Sequence, residues 1–237
     1  METTDDTASD MPAPTTARDH LAVALDVDDV VVAMRLAADL RPYFRVAKVG
    51  LEMYSAVGPD AIGGLVDMGY DVFCDLKLHD IPNTVQRAAR VIGALGATYL
   101  TIHTAGGVEM VSAGVEGFVE GAANAGLPAP VALGVTVLTS EPDAGSLPTR
   151  LRVAVESGCG GVVCAASDLA QVRSIAPRIT TVVPGIRPEG ADHADQARVA
   201  TPSEALAAGA DLLVIGRPVT GAADPVAAAA AILDSLG

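Results

Sequence analysis

LAVALDVDD, residues 21–29, decides between two α/β architectures. Its first six residues are a short apolar run ending in an aspartate, as a buried parallel strand does. An open dinucleotide-binding sheet would place a G-x-G-x-x-G turn directly after this first strand. Here the strand runs into Asp-Val-Asp-Asp instead. Seven further runs follow: RVAKVG (45–50), DVFCDLK (71–77), TYLTIH (98–103), PVALGVTVL (130–138), GVVCA (161–165), ITTVVP (179–184) and DLLVIG (211–216). Ala- and Val-rich stretches of helical character separate them, which is the alternation of a parallel sheet. Eight such units in 237 residues predict a closed (β/α)8 barrel in a single domain. Residues 1–19, rich in Thr, Ser, Asp and Pro without apolar period, read as a disordered acidic tail, so the barrel is expected over 20–237.

Composition excludes several classes of function. A net charge of −14 argues against general nucleic-acid binding, which needs a basic face. It still permits an anionic small molecule, because the field inside a pocket can oppose that of the whole molecule. Apolar runs fall short of the roughly 18 residues a membrane helix needs. The acidic N-terminus lacks the basic start and apolar stretch of a signal peptide, and three cysteines form neither an even framework nor a zinc spacing. A cytoplasmic protein with reduced thiols is expected. The four histidines at 20, 79, 103 and 193 offer no metal-binding pair.

A barrel locates its chemistry where strands meet the loops at their C-terminal ends. The polar residues at those ends are Asp26, Lys48, Asp75, Lys77, His103, Thr139, Arg187 and Arg217. Lysine usage singles out two of them. The chain has thirteen arginines but two lysines, Lys48 and Lys77, both among acidic residues. Guanidinium keeps its proton at any working pH, whereas an ammonium can be tuned to give its proton away. Asp75 and Lys77, two apart, project to one face of a strand with Phe73, while Cys74 and Leu76 face the helices. Asp80 is placed to fold back towards Lys77. With Lys48 on the adjacent strand, the order Lys48, Asp75, Lys77, Asp80 would alternate in sign around a small ring. Such alternation holds each charge in its ionised form. A second cluster, VPGIRPEGADHADQ (183–196) and VIGRP (214–218), matches the usual phosphate site after strands 7 and 8 of these barrels. Arg217 there offers a bidentate partner for phosphate oxygens. By parity Cys74 is a packed apolar residue, and His79 and His103 are local hydrogen-bonding residues.

Taken together these motifs resemble the orotidine 5′-phosphate decarboxylase family. The likeness runs from LAVALD at 21–26 through KVG at 48–50, DLKLHDIPNT at 75–84, TVLTS at 136–140, PGIRP at 184–188 and Asp195-Gln196 to IGRPVT at 215–220. The pattern D-x-K-x-x-D-I-P-N-T is highly specific. The resemblance implies a dimeric barrel that converts orotidine 5′-phosphate to UMP and CO2 without metal or cofactor. It implies that Lys77 is the proton donor and that Lys48, Asp75 and Asp80 complete its charged network. It places Asp26 on the ribose hydroxyls and Thr84, Thr139, Arg187, Gln196, Gly216 and Arg217 among the substrate-binding positions, with Lys48 and Asp75. It also implies that Asp80 and Thr84 reach across the dimer into the partner's site. Two rivals stand beside this reading. One is a Mg2+-dependent sugar-phosphate decarboxylase or aldolase of the same suprafamily, which binds its metal through a glutamate where this chain has Lys48. The other is a non-catalytic barrel that binds pyrimidine nucleotides.

Overall fold

The computed structural model of the protein describes residues 16–138, 145–188 and 199–236. Eight parallel strands close into a barrel in sequence order: β1 Leu21–Ala24, β2 Val46–Val49, β3 Asp71–Leu78, β4 Tyr99–His103, β5 Val131–Val135, β6 Gly161–Val163, β7 Thr180–Val183 and β8 Leu212–Ile215. All eight lie within the apolar runs, apart from one added residue at the end of β3. Helices on the outside connect the strands. Among the described residues they are α1 Val30–Leu40, α2 Leu51–Val57, α3 Asp60–Asp67, α4 Pro82–Ala94, α5 Gly107–Asn124, α6 Leu147–Glu156, α7 Leu169–Ile175, α8 Pro202–Ala207, the short α9 Arg217–Thr220 and, after the last strand, α10 Pro225–Asp234. None of the described helices is long and apolar enough to cross a membrane.

Local signals start these helices where the strands end. Asp29 caps α1, its carboxylate accepting from the N–H groups of Val31 and Val32 at 2.8 and 3.0 Å. This explains the DVDD that follows β1: its last aspartate begins a helix instead of a glycine-rich turn. Pro82 stands in the first turn of α4, where its missing N–H costs nothing.

Strand parity divides the core in two. Ala22, Val46, Phe73, Tyr99, Leu133, Val182 and Leu212 fill the barrel interior, while Val23, Ala47, Cys74, Leu100, Val183 and Leu213 pack against the helices. Phe73 and Tyr99 meet edge to face at 6.1 Å inside the barrel. Outside, α4 and α5 pack backbone to backbone. A Cβ on Gly117 or Gly121 would run into the carbonyl oxygens of Gln86 and Arg90.

The chain departs from the expected tail boundary. Residues 1–15 lie outside the described residues, but Thr16 caps a 3-10 turn over Ala17–His20 that is fixed to the barrel floor. Asp19 pairs with Arg45 at 3.4 Å, and His20 Nδ1 lies 2.8 Å from the carbonyl oxygen of Asp211. Composition alone missed these residues because their order comes from contacts with distant strands.

Candidate active site

At the C-terminal ends of the strands lies a cavity of about 250 Å3 whose lining includes Asp26, Lys48, Asp75, Lys77, Arg187 and Arg217. Inward parity brings the first four there: Asp26 continues the line of Ala22 and Ala24, Lys48 that of Val46, and Asp75 and Lys77 that of Phe73. Gly216, at the end of β8, also lines it. A larger cavity of about 930 Å3 opens under the opposite ends of the strands. The Arg45–Asp71 and Arg173–Asp211 pairs on its wall, 2.6 and 2.7 Å apart, satisfy each other. Convergent charges and the general location of barrel chemistry both favour the smaller cavity.

Within it four charges form a chain of alternating sign. Lys48 Nζ donates to Asp26 Oδ1 at 3.0 Å and stands 3.6 Å from Asp75 Oδ2; Lys77 Nζ donates to Asp75 Oδ1 at 2.8 Å. Burial pushes the Asp75 carboxyl up, but the two ammonium groups and the hydrogen bonds from Lys77 and Thr101 outweigh it and hold the group below the usual carboxylate range. Lys48 is buried, whereas Asp26 is half exposed at the mouth. Gly50 makes this pairing possible. A Cβ there would lie 2.5 Å from Asp26 Oδ1 and 3.0 Å from Lys48 Nζ.

Within one chain the alternating charges are Asp26, Lys48, Asp75 and Lys77, and Asp80 is not among them. Asp80 is exposed, accepts from the N–H of Ile81 at 2.7 Å and makes no ion pair with Lys77. The turn into α4 claims its carboxylate and points the loop outward. Thr84, in the first turn of α4, is exposed and likewise lies away from the cavity lining. Arg187 is buried, its guanidinium donating to the carbonyl of Ile186 at 2.9 Å. Thr139 and Gln196 lie outside the described residues.

Two residues to which motif reading gave no role complete the site. One is Gly50. The other is Thr101 on β4, wholly buried, whose Oγ1 accepts from the Lys77 N–H at 2.8 Å and lies 3.1 Å from Asp75 Oδ1. A signal for Thr101 existed: it is a small hydroxyl residue at an inward position, between Leu100 and Ile102 in the middle of a strand. Two histidines lie at the rim. The rings of His79 and His103 stack at 5.6 Å, and His103 Nδ1 accepts from the Ala105 N–H at 3.2 Å. Cys74 faces the helices, and burial, with a smaller push from Asp75, raises its thiol to about 12, which leaves it unreactive.

The profile of the "Orotidine 5′-phosphate decarboxylase / HUMPS family" matches residues 19–232. The chain belongs to this family. Among curated relatives, the orotidine 5′-phosphate decarboxylase of Anaeromyxobacter dehalogenans is 46% identical over 231 residues, covering 92% of this chain and 98% of the relative. The enzyme of the same name from Moorella thermoacetica is 45% identical over 231 residues, covering 91% of each chain. A crystal structure of orotidine 5′-phosphate decarboxylase from Lactobacillus acidophilus superposes with a TM-score of 0.79 at 34% identity, over 92% of this chain and 98% of that one. The family's barrel is thus this chain's barrel.

Proposed function

We propose that this protein is an orotidine 5′-phosphate decarboxylase, converting its substrate to UMP and CO2 with its own side chains. The observation that carries the reading is the ammonium of Lys77 held 2.8 Å from the Asp75 carboxylate on the lining of the cavity. Loss of CO2 from C6 of the pyrimidine leaves an electron pair localised in the ring plane. An ammonium already fixed beside C6 stabilises that charge as it develops and then delivers a proton to the carbon. Asp75 keeps Lys77 charged and oriented, and Lys48 keeps Asp75 ionised. Asp26 faces the ribose hydroxyls from the mouth. Arg217 and the backbone at Gly216 take the phosphate, while Arg187 lines the rest of the nucleotide's path; the roles of Thr139 and Gln196 in substrate binding rest on the family resemblance. Phosphate binding energy positions a ring several ångströms away, so the remote contact contributes to the rate.

Lys48 speaks against the metal-dependent rival. Its ammonium lies 3.0 Å from Asp26 and 3.6 Å from Asp75, occupying the oxygens a divalent cation would need. The names carried by the relatives support the same choice. We also place the enzyme in the cytoplasm, in keeping with three free, buried cysteines. Two copies form the working unit, Asp80 and Thr84 of each serving the other's cavity. In support, Asp80 is turned outward beside Ile81, whose side chain is 65% exposed at the rim.

The test is to follow loss of the orotate-ring absorbance when purified protein meets orotidine 5′-phosphate in excess EDTA. Sustained turnover is expected. Strict dependence on Mg2+ would favour the sugar-phosphate lyase chemistry, and UMP binding without turnover would favour the silent barrel.

A further inference from the structure

Lys77 has φ +50°, the one left-handed backbone conformation at a non-glycine among the described residues. Residues with side chains rarely adopt it unless their surroundings enforce it. The enforcement is visible in the sheet. Between β3 and β4 the pairing runs from Cys74 opposite Leu100 to Leu78 opposite Ile102, four steps along one strand against two along the other. The surplus is a bulge containing both Asp75 and Lys77, and bulges re-aim side chains at the cost of ladder hydrogen bonds.

Thr101 takes over what the ladder gives up. Its Oγ1 accepts the Lys77 N–H at 2.8 Å. The single hydroxyl proton has two acceptors within reach, the Cys74 carbonyl at 3.4 Å and Asp75 Oδ1 at 3.1 Å. The nearer and charged one is favoured. The same carboxylate oxygen receives Lys77 Nζ at 2.8 Å. One buried oxygen thus ties down the main chain of the lysine and the carboxylate that holds the lysine's head. Thr101 does not line the cavity and touches no space a substrate would fill.

We propose that Thr101 is a positioning residue of the decarboxylation, its hydroxyl locking the bulge so that the Lys77 ammonium and the Asp75 carboxylate meet the substrate already aligned. This rests on the decarboxylase reading. An apolar residue in its place would leave the Lys77 N–H without its acceptor and Asp75 one donor short, and the bulge would relax. Ground-state binding would survive, because phosphate and ribose are held by other strands. Rate would not, because alignment of the reacting groups is expressed in the transition state.

Thr101→Val keeps the shape and removes the hydroxyl; Thr101→Ser keeps the hydroxyl. The expected result is a kcat lower by about 10- to 100-fold for the valine variant, with KM within about threefold, and a serine variant within about threefold of wild type. Thr101→Ala removes the same group without adding a methyl and carries the same expectation should the valine variant not fold. A second readout is independent of turnover. With two lysines in the chain, 13Cε-lysine labelling gives two signals. The Lys77 signal should move in the valine variant and return in the serine variant. Near-wild-type kcat in both hydroxyl-free variants would overturn the proposal, as would a fall in kcat with the Lys77 signal unmoved. If wild-type protein fails to turn over orotidine 5′-phosphate, the decarboxylase reading falls, and the lysine spectra still decide whether Thr101 sets the lysine's position.

Discussion

Asp75→Asn removes the negative charge between two ammonium groups while keeping the side chain's size, so its effect on stability can be worked from the site. Lys48 and Lys77 approach the two carboxylate oxygens at 3.6 and 2.8 Å, with side chains 9% and 32% exposed and Asp75 at 16%. Removing one member of a buried ion pair costs about 3–5 kcal/mol, because the partner's charge remains without compensation. Two features reduce that here. Lys77 reaches solvent through the cavity, and Lys48 retains Asp26. About 2–3 kcal/mol is the resulting expectation. At about 2–4 °C per kcal/mol for a chain of this length, Tm should fall by about 4–12 °C at pH 7. The effect also has a pH signature. Burial raises the Asp75 carboxyl, but Lys48, Lys77 and Thr101 bring its folded-state pKa below the ordinary value. Its contribution is therefore present above the unfolded pKa of about 3.9 and is lost as pH falls through the lower folded value. Thermal and urea unfolding of both proteins between pH 3 and pH 7 measures this directly. The gap should be widest at neutral pH and close in acid. A variant as stable as wild type at pH 7, or a gap unchanged at pH 3, would refute the idea that the two lysines hold this carboxylate.

Gly50→Ala should lower kcat/KM by about tenfold or more, since its Cβ would displace the Asp26–Lys48 pair; steady-state kinetics at wild-type values would show that this pairing is dispensable. Arg217→Ala should weaken substrate binding and slow the reaction, and orotidine lacking its phosphate should barely distinguish the variant from wild type. A large effect on that truncated substrate would mean the arginine contacts something other than phosphate. Lys77→Ala and Asp80→Ala subunits should each be inactive, yet after random remixing about a quarter of wild-type activity should return, because half the dimers are hybrids with one good site. A remixed pool that stays inactive despite demonstrated hybrids would rule out shared sites.

The strands were legible because each is a short apolar run bounded by polar residues, and Asp26, Lys48, Asp75 and Lys77 because alternation fixes which way a strand residue points. Asp80 stands away from its own chain's Lys77 for a reason the same rule makes clear. It lies past the strand, where the turn's own N–H groups compete for a carboxylate and parity no longer applies. The bulge at Lys77 left no mark in the sequence, because left-handed backbone at a lysine comes from the neighbouring strand's Thr101 and not from local propensity. Gly50 was invisible for the opposite reason. Many glycines end strands, and only the positions of Asp26 and Lys48 show that a Cβ on this one would meet the carboxylate of the first and the ammonium of the second. Residues 16–19 read as tail because four residues are too few for a periodic signal, and Phe44 and Arg45, which hold Arg18 and Asp19, are distant in sequence.

In the proposed reaction the ammonium of Lys77 meets the carbanion and protonates it. The most direct measurement is kcat of Lys77→Ala on orotidine 5′-phosphate in EDTA, alongside wild type and with UMP binding recorded for both. The predicted result is a fall in kcat of about a thousandfold or more in a variant that remains folded and still binds UMP. A folded Lys77→Ala enzyme turning over within tenfold of wild type would contradict it.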